Sequence, residues 1–216
     1  MTPARASVLT KPPAREDHLG ASTFAEKGWH HIAHGDFAQA EESLQQALRL
    51  APSETRIRTL LGWAIMRQGR IDEALKILDE VLGQDASNAL ARASLGYVCM
   101  RKGLLREAHQ HLTVAETQTA DAKATLYAGF YLGLLYSQQR DVVEAERFFR
   151  RTLSLAPNFI EAYYELGRTF WAAGELREAE NVWRGGNSAN RFSVWGKRCA
   201  AAIRLAREGK EPPSFS

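Results

Sequence analysis

The residues with the strongest look of chemistry are His30, His31 and His34, the one histidine cluster in a chain of 216 residues. His30 and His34 lie one helical turn apart, the spacing at which two imidazoles can share a metal ion. His31, however, falls at a packing position, and the other two read as decoration on the end of a helix. His109 and His111 are two residues apart and do not share a helical face. Cys99 falls at a core position and Cys199 lies far along the chain, so neither reads as a nucleophile. Two cysteines make no disulfide framework, which points to a reducing compartment. The sequence has no phosphate-binding glycine loop, His-Glu-x-x-His, paired Cys-x-x-Cys or nucleophile elbow. The expectation is a non-enzyme that needs no cofactor and no metal. What remains is binding chemistry, carried by aromatic and arginine side chains. Trp29, Trp63 and Tyr97 stand 34 residues apart, and eleven of the twenty aromatics fall between Tyr127 and Trp171.

The elements that position these residues follow from a repeat. A Leu-Gly pair occurs at Leu61-Gly62, Leu95-Gly96, Leu132-Gly133 and Leu166-Gly167, with a degenerate Lys27-Gly28 upstream. Twelve residues after each of these glycines stands an alanine: Ala40, Ala74, Ala108, Ala145 and Ala179, at spacings of 34, 34, 37 and 34. Four residues further on comes Leu44, Leu78, Leu112, Phe149 or Trp183. A second glycine follows the first by seven residues at Gly35, Gly69, Gly103 and Gly174, with Arg140 as the exception. This is the lattice of a helix pair. The first glycine admits a neighbouring helix, at a propensity cost of about 1 kcal/mol. The second can take the left-handed conformation that ends the first helix. Asp36 and Asp141 then stand where the second helix needs an N-cap. In that second helix the alanine is the small contact residue and the bulky residue one turn later packs on the same face. Pro52 and Pro157 lie in turns, and the other five prolines lie in the tails.

These residues resemble the tetratricopeptide repeat family, whose 34-residue pattern places a Leu-Gly pair, an alanine, a bulky residue and a proline at these intervals. The resemblance implies an all-α fold, a right-handed α-α superhelix of five helix-turn-helix repeats at 21–54, 55–88, 89–122, 126–159 and 160–193. A disordered tail covers 1–20. A capping helix runs from about residue 190 to 208, with Phe192, Trp195, Cys199, Ala202 and Ile203 on its apolar side, and residues 209–216 form a second disordered tail. Gly185 and Gly186 are expected to cut the last repeat short. Three extra residues near Lys123–Thr125 either lengthen a helix or extend a loop, and a small offset between the third and fourth repeats is expected there.

The family lines its concave groove with the first helix of each repeat. The resemblance therefore implies that Trp29, Arg56, Trp63, Arg67, Tyr97, Arg101, Tyr127, Phe130, Tyr164, Arg168 and Trp171 contact a partner. Trp29, Trp63 and Tyr97 are expected to form a ladder, and the stretch from Tyr127 to Trp171 the hottest part of the groove. A carboxylate clamp for chaperone C-termini, known in some members, is disfavoured because Ala25 and Trp29 stand where its first lysine and asparagine belong. An aromatic groove edged with arginines suits an extended or helical peptide with apolar anchors and some acidic character. The function expected is a non-catalytic interaction scaffold. An alternative is a dedicated chaperone resembling those of type III secretion translocators, although such chaperones have about three repeats. A third reading docks the basic terminal helix to nucleic acid or an anionic membrane.

Composition fits these expectations. The chain is 45% hydrophobic and 25% charged, as an ordinary folded protein is, and its net charge of +3 is too mild to announce a nucleic-acid binder. Residues 190–211 hold six basic and two acidic groups, so the basicity belongs to the terminal helix. The first twenty residues hold no apolar run suited to a signal peptide. The longest uncharged stretch, Ala124 to Gln139, falls short of the roughly 20 apolar residues of a span. A cytoplasmic location is expected.

Overall fold

A computed structural model describes residues 17–118 and 120–214. The N-terminal tail expected at 1–20 lies, through residue 16, outside the described residues, and residues 17–20 are not tail: Asp17 caps α1 by accepting from the Gly20 N–H at 2.9 Å. Among those residues the chain forms eleven helices and no strand. They are α1 (His18–His34), α2 (Phe37–Leu50), α3 (Thr55–Arg67), α4 (Ile71–Gln84), α5 (Ala89–Arg101) and α6 (Leu105–Thr117). There follow α7 (Ala122–Gln138), α8 (Val142–Leu155), α9 (Ile160–Ala172), α10 (Leu176–Ala189) and α11 (Val194–Arg207). The first ten make five antiparallel pairs stacked side by side, and α11 closes the end of the stack.

The alanine lattice holds the pairs together. Ala40, Ala74, Ala108, Ala145 and Ala179 are fully buried, as are Leu44, Leu78, Leu112, Phe149 and Trp183 one turn later. Burying a side chain of that size stabilises by about 1.5–3 kcal/mol. The bulky residue packs over the bare face of its own repeat's first helix. A methyl group on Gly133 would sit 2.7 Å from the Phe149 ring, so the helices approach as closely as they do only because that face carries no side chain.

The helix ends follow the second glycine series. Gly35, Gly69, Gly103 and Gly174 all have φ near +80°, and Arg140, the one non-glycine in the series, is held at φ +62°. The fourth repeat therefore keeps the turn at the cost of left-handed strain. Asp141 caps α8 by accepting a hydrogen bond from the Glu144 N–H at 3.1 Å. Asp36, expected to do the same for α2, makes no side-chain capping bond.

Three further expectations need correction. Helix α10 runs unbroken through Gly185 and Gly186 to Ala189. Gly186 is a contact point rather than a breaker, since a methyl group there would meet Cys199 Sγ and Tyr163 Cβ at 2.8 Å, and the packing of α11 offsets its weak propensity. The capping helix begins at Val194, not near residue 190. Asn190 Oδ1 accepts from the N–H groups of Phe192 and Ser193, making a turn, and the Ser193 hydroxyl then caps the helix through the Gly196 N–H at 3.0 Å. Phe192, expected on the apolar side of that helix, is consequently exposed. Finally, the chain after Glu208 is not a loose tail through residue 214. Gly209, at φ +69°, reverses it, and Pro212 is buried.

The 37-residue interval lengthens a helix. Helix α7 has 17 residues against 13 in α3, α5 and α9. Its added first turn is capped by Asp121, whose Oδ1 accepts from the Lys123 and Ala124 N–H groups at 2.9 and 3.0 Å.

Candidate partner-binding groove

Helices α1, α3, α5, α7 and α9, the first of each pair, bring the expected groove residues to one side of the stack. There they meet one another as much as they face outward. Trp29 stacks on Trp63 at 6.1 Å between ring centroids. Trp63 then packs on Tyr127 at 4.7 Å and donates from Nε1 to the Tyr131 hydroxyl at 2.9 Å. Tyr97 meets Tyr131 at 4.7 Å rather than continuing the Trp29–Trp63 stack. The ladder thus bends toward α7, and Tyr131, which the repeat positions did not single out, is its junction.

Burial divides the expected residues into three sets. Trp63, Tyr97, Phe130 and Tyr164 are buried, at 7% exposure or less. Trp29, Arg67, Tyr127, Arg168 and Trp171 are half-buried, and Arg56 and Arg101 are exposed. Most of the aromatic density between Tyr127 and Trp171 fills the interior, with Tyr131, Phe148, Phe149 and Phe170 each buried.

Charges cross the groove as well. Arg67 on α3 donates from Nη2 to both carboxylate oxygens of Glu161 on α9 at 3.2 Å, and its guanidinium lies 5.0 Å from the Phe37 ring. Burial works against that charge, but Glu161 and the phenols of Tyr131, Tyr97 and Tyr127 more than offset it, so Arg67 stays firmly protonated. One turn along α9, the Glu165 carboxylate accepts from Arg168 Nη1 at 2.9 Å. Burial pushes the Glu165 carboxyl up to about 7, against the pull of Arg168 and with a push from Glu161. Burial also raises the Tyr127 hydroxyl to about 12 and the Tyr131 hydroxyl further. At the N-terminal end, the added turn of α7 sets Lys123 Nζ 3.6 Å from the Trp29 ring centroid, a cation–π contact between the fourth and first repeats.

Two cavities open beside these bridges. One, of about 400 Å³, is lined by Ala25, Trp29, Arg56, Ile57, Leu60 and Lys123 among others. The other, of about 340 Å³, is walled by Phe37, Arg67, Tyr97, Arg101, Glu161 and Arg198 among others. Arg101 is held at the mouth of the second by the Tyr97 hydroxyl, at 3.0 Å. Glu161 was within reach of the sequence, since it occupies the same repeat position as Arg56. Phe37, Arg198 and Glu165 carry no positional signal, because they enter from a second helix, from the cap and from an unremarked position of α9.

His30 and His34 come together without a third ligand among the described residues. The His30 and His34 rings are 4.3 Å apart, but His34 Nδ1 bonds the His30 carbonyl at 2.8 Å. Among the described residues no three histidine, cysteine, aspartate or glutamate side chains are placed to hold a metal. Both thiols are buried and pushed up by burial, Cys199 to about 12. The basic cap is partly paired. Arg207 bonds Glu180, Lys210 bonds Glu208 at 2.8 Å, and Arg198 lies 4.3 Å over the Trp195 ring. No helix of the described residues is long and apolar enough to cross a membrane.

Five stacked helix pairs define a repeat protein, and the similarities to known proteins agree. Family models described as tetratricopeptide repeat match residues 31–95, 66–128 and 132–159. The chain belongs to the tetratricopeptide repeat family. Among solved structures it is similar to a thermophilic TPR protein of Thermus thermophilus, with a TM-score of 0.72 and 20% identity over 86% of this chain and 100% of that one. It is also similar to PilW, a type IV pilus biogenesis factor, with a TM-score of 0.65 and 20% identity over 87% and 86%. PilF of Pseudomonas aeruginosa gives a TM-score of 0.61 and 19% identity over 88% of each chain. At these identities the likeness concerns the fold. No curated protein matches the sequence.

Proposed function

We propose that the protein is a non-catalytic scaffold that binds a partner segment on its concave side, at the cavity between Phe37 and Arg198. The observation that carries this reading is the distribution of charge around that cavity. Arg67 is paired with Glu161 and Glu165 with Arg168, whereas Arg101 is exposed at the mouth with its guanidinium aimed by Tyr97. The aromatic walls suit an apolar anchor, and the rim suits a neighbouring carboxylate. At that cavity Arg101 is the residue offered for contact, while Trp29 and Arg56 line the neighbouring cavity, and Tyr127, Arg168 and Trp171 are open enough to meet a longer segment. Trp63, Tyr97, Phe130 and Tyr164 support them from below.

A scaffold is favoured over a chaperone for apolar segments because the rings such a client would need are already packed. Docking through the basic cap is disfavoured because Arg207 and Lys210 have acidic partners within the chain. A photo-crosslinking residue at Arg101 should capture a discrete partner in cells, and Arg198→Glu, on the opposite wall of the same cavity, should weaken that capture. The same residue at Val143, which is exposed on a second helix, is the control. Equal adducts from both positions would refute the groove.

A further inference from the structure

Residues 210–214 turn back onto an aromatic pair of α9 and α11, a contact that the groove reading does not use. Helix α11 stops in a left-handed turn at Gly209, where the Gly209 N–H donates to the Ala206 carbonyl at 3.1 Å and the Lys210 N–H to the Leu205 carbonyl at 2.8 Å. This double closure reverses the backbone. It delivers Pro212 and Pro213 to α9, where the Tyr164 hydroxyl donates to the Pro213 carbonyl at 2.7 Å and Pro212 is buried. Tyr164 packs on Trp195 at 5.4 Å between centroids, and Arg198 covers the outer face of that indole at 4.3 Å. Three planar groups, from α9 and α11, thus lie together, with the two rings tilted by 53° and Pro213 bonded to the tyrosine.

We infer that the Tyr164–Trp195 pair is a docking site for a diproline segment, and that the chain's own Pro212–Pro213 is its resident ligand. The chemistry selects this class. Prolines fix the backbone in an extended form before binding, so little conformational entropy is lost on docking. A proline-rich strand makes no internal hydrogen bonds, which leaves its carbonyls available to a donor on an aromatic surface. A tyrosine hydroxyl donating to a proline carbonyl beside an indole supplies that donor and that surface. Residues 211–214 have no helix or strand of their own, and the Tyr164 bond and the burial of Pro212 are two of the contacts that hold them. A partner carrying a diproline must displace this segment, and the tail therefore sets a threshold for binding. The site shares Trp195 and Arg198 with the wall of the cavity above, but its occupant is the diproline segment and not a partner held in that cavity.

The test uses the full chain and a fluorescein-labelled peptide with the sequence of residues 208–216. A tail tethered by a few residues competes at an effective concentration in the millimolar range. Pro212→Gly combined with Pro213→Gly loosens the resident segment without touching the site. Fluorescence anisotropy should show the peptide binding this double variant at least about fivefold more tightly than the wild-type chain. Adding Tyr164→Phe, which keeps the ring and removes the hydroxyl, should abolish that gain, whereas adding Arg101→Glu should leave it intact. Gly209→Ala, which strains the reversing turn, should raise peptide binding in the same direction as the proline variant. Equal affinity for wild type and double variant would overturn the inference. So would no binding to the double variant at about 1 mM peptide, or a gain that survives Tyr164→Phe.

Discussion

Glu165→Gln should stabilise the protein in a pH-dependent way. Glu165 is 4% exposed, and burial raises its carboxyl to about 7, from an ordinary value of 4.5. An acid whose value is raised in the folded chain favours folding most when it is protonated. Its contribution is therefore intact below pH 4.5 and is lost as pH rises to 7. Each tenfold gap is worth about 1.4 kcal/mol, so the ionised carboxylate costs the folded state about 3 kcal/mol above pH 7.5. That figure already includes the help of Arg168 and the opposition of Glu161. Glutamine keeps an oxygen for Arg168 Nη1 and never ionises. Urea unfolding should show no difference between variant and wild type near pH 4, and a difference growing to about 3 kcal/mol by pH 8. In a chain of this length that corresponds to about 6–12 °C in melting temperature at the higher pH. A carbon-detected NMR titration of Glu165 supplies the direct check. A midpoint near 4.5, or a stability difference that does not change with pH, would refute the reasoning.

Other positions make sharp predictions. Arg140→Gly should raise stability by about 0.5–1 kcal/mol in urea unfolding, because relief of left-handed strain of about 1–2 kcal/mol exceeds the entropy that glycine adds to the unfolded chain; a loss would mean that the arginine side chain matters more than its backbone. Gly133→Ala should cost about 1–2 kcal/mol, since the collision with the Phe149 ring outweighs the roughly 1 kcal/mol gain in helix propensity. Calorimetry that finds this variant more stable would show the ring free to move. Trp63→Ala should cost about 3–5 kcal/mol in calorimetry, because it empties a buried site and leaves the Tyr131 hydroxyl without its donor. A melting temperature within a few degrees of wild type would instead place that ring on an open groove.

The repeat lattice was legible because it is local. Leu-Gly pairs, alanines and bulky residues act within one helix pair, and pairwise spacing is what a sequence displays directly. Arg140 shows where this stops, since the sequence displays it only as the exception in the glycine series, and the structure is what shows it keeping the left-handed turn. The groove was legible only as a list of positions. Whether Trp63 faces a ligand or lies beneath Tyr127 depends on how each repeat turns relative to the last, and small rotations accumulate across several repeats. Contacts between distant repeats, such as Arg67 with Glu161 and Lys123 with Trp29, depend on that accumulated curvature. Gly186 misled for the opposite reason. Its helix propensity is a local quantity, and the contact with Cys199 that outweighs it comes from the capping helix.

The added turn of α7 has a consequence for how the protein comes apart. In a stack where each repeat touches only its neighbours, the ends can fray one unit at a time, and stability reduces to a row of nearly independent terms. Lys123 on Trp29 ties the fourth unit to the first, the Trp63 bond to Tyr131 ties the second to the fourth, and Arg67 on Glu161 ties the second to the fifth. With those ties the row becomes a set of interlocking loops, and losing either end strips partners from the middle. Unfolding should therefore be sharper than that of an open stack of equal length, with the amide protons of α3 and α9 exchanging in one cooperative event.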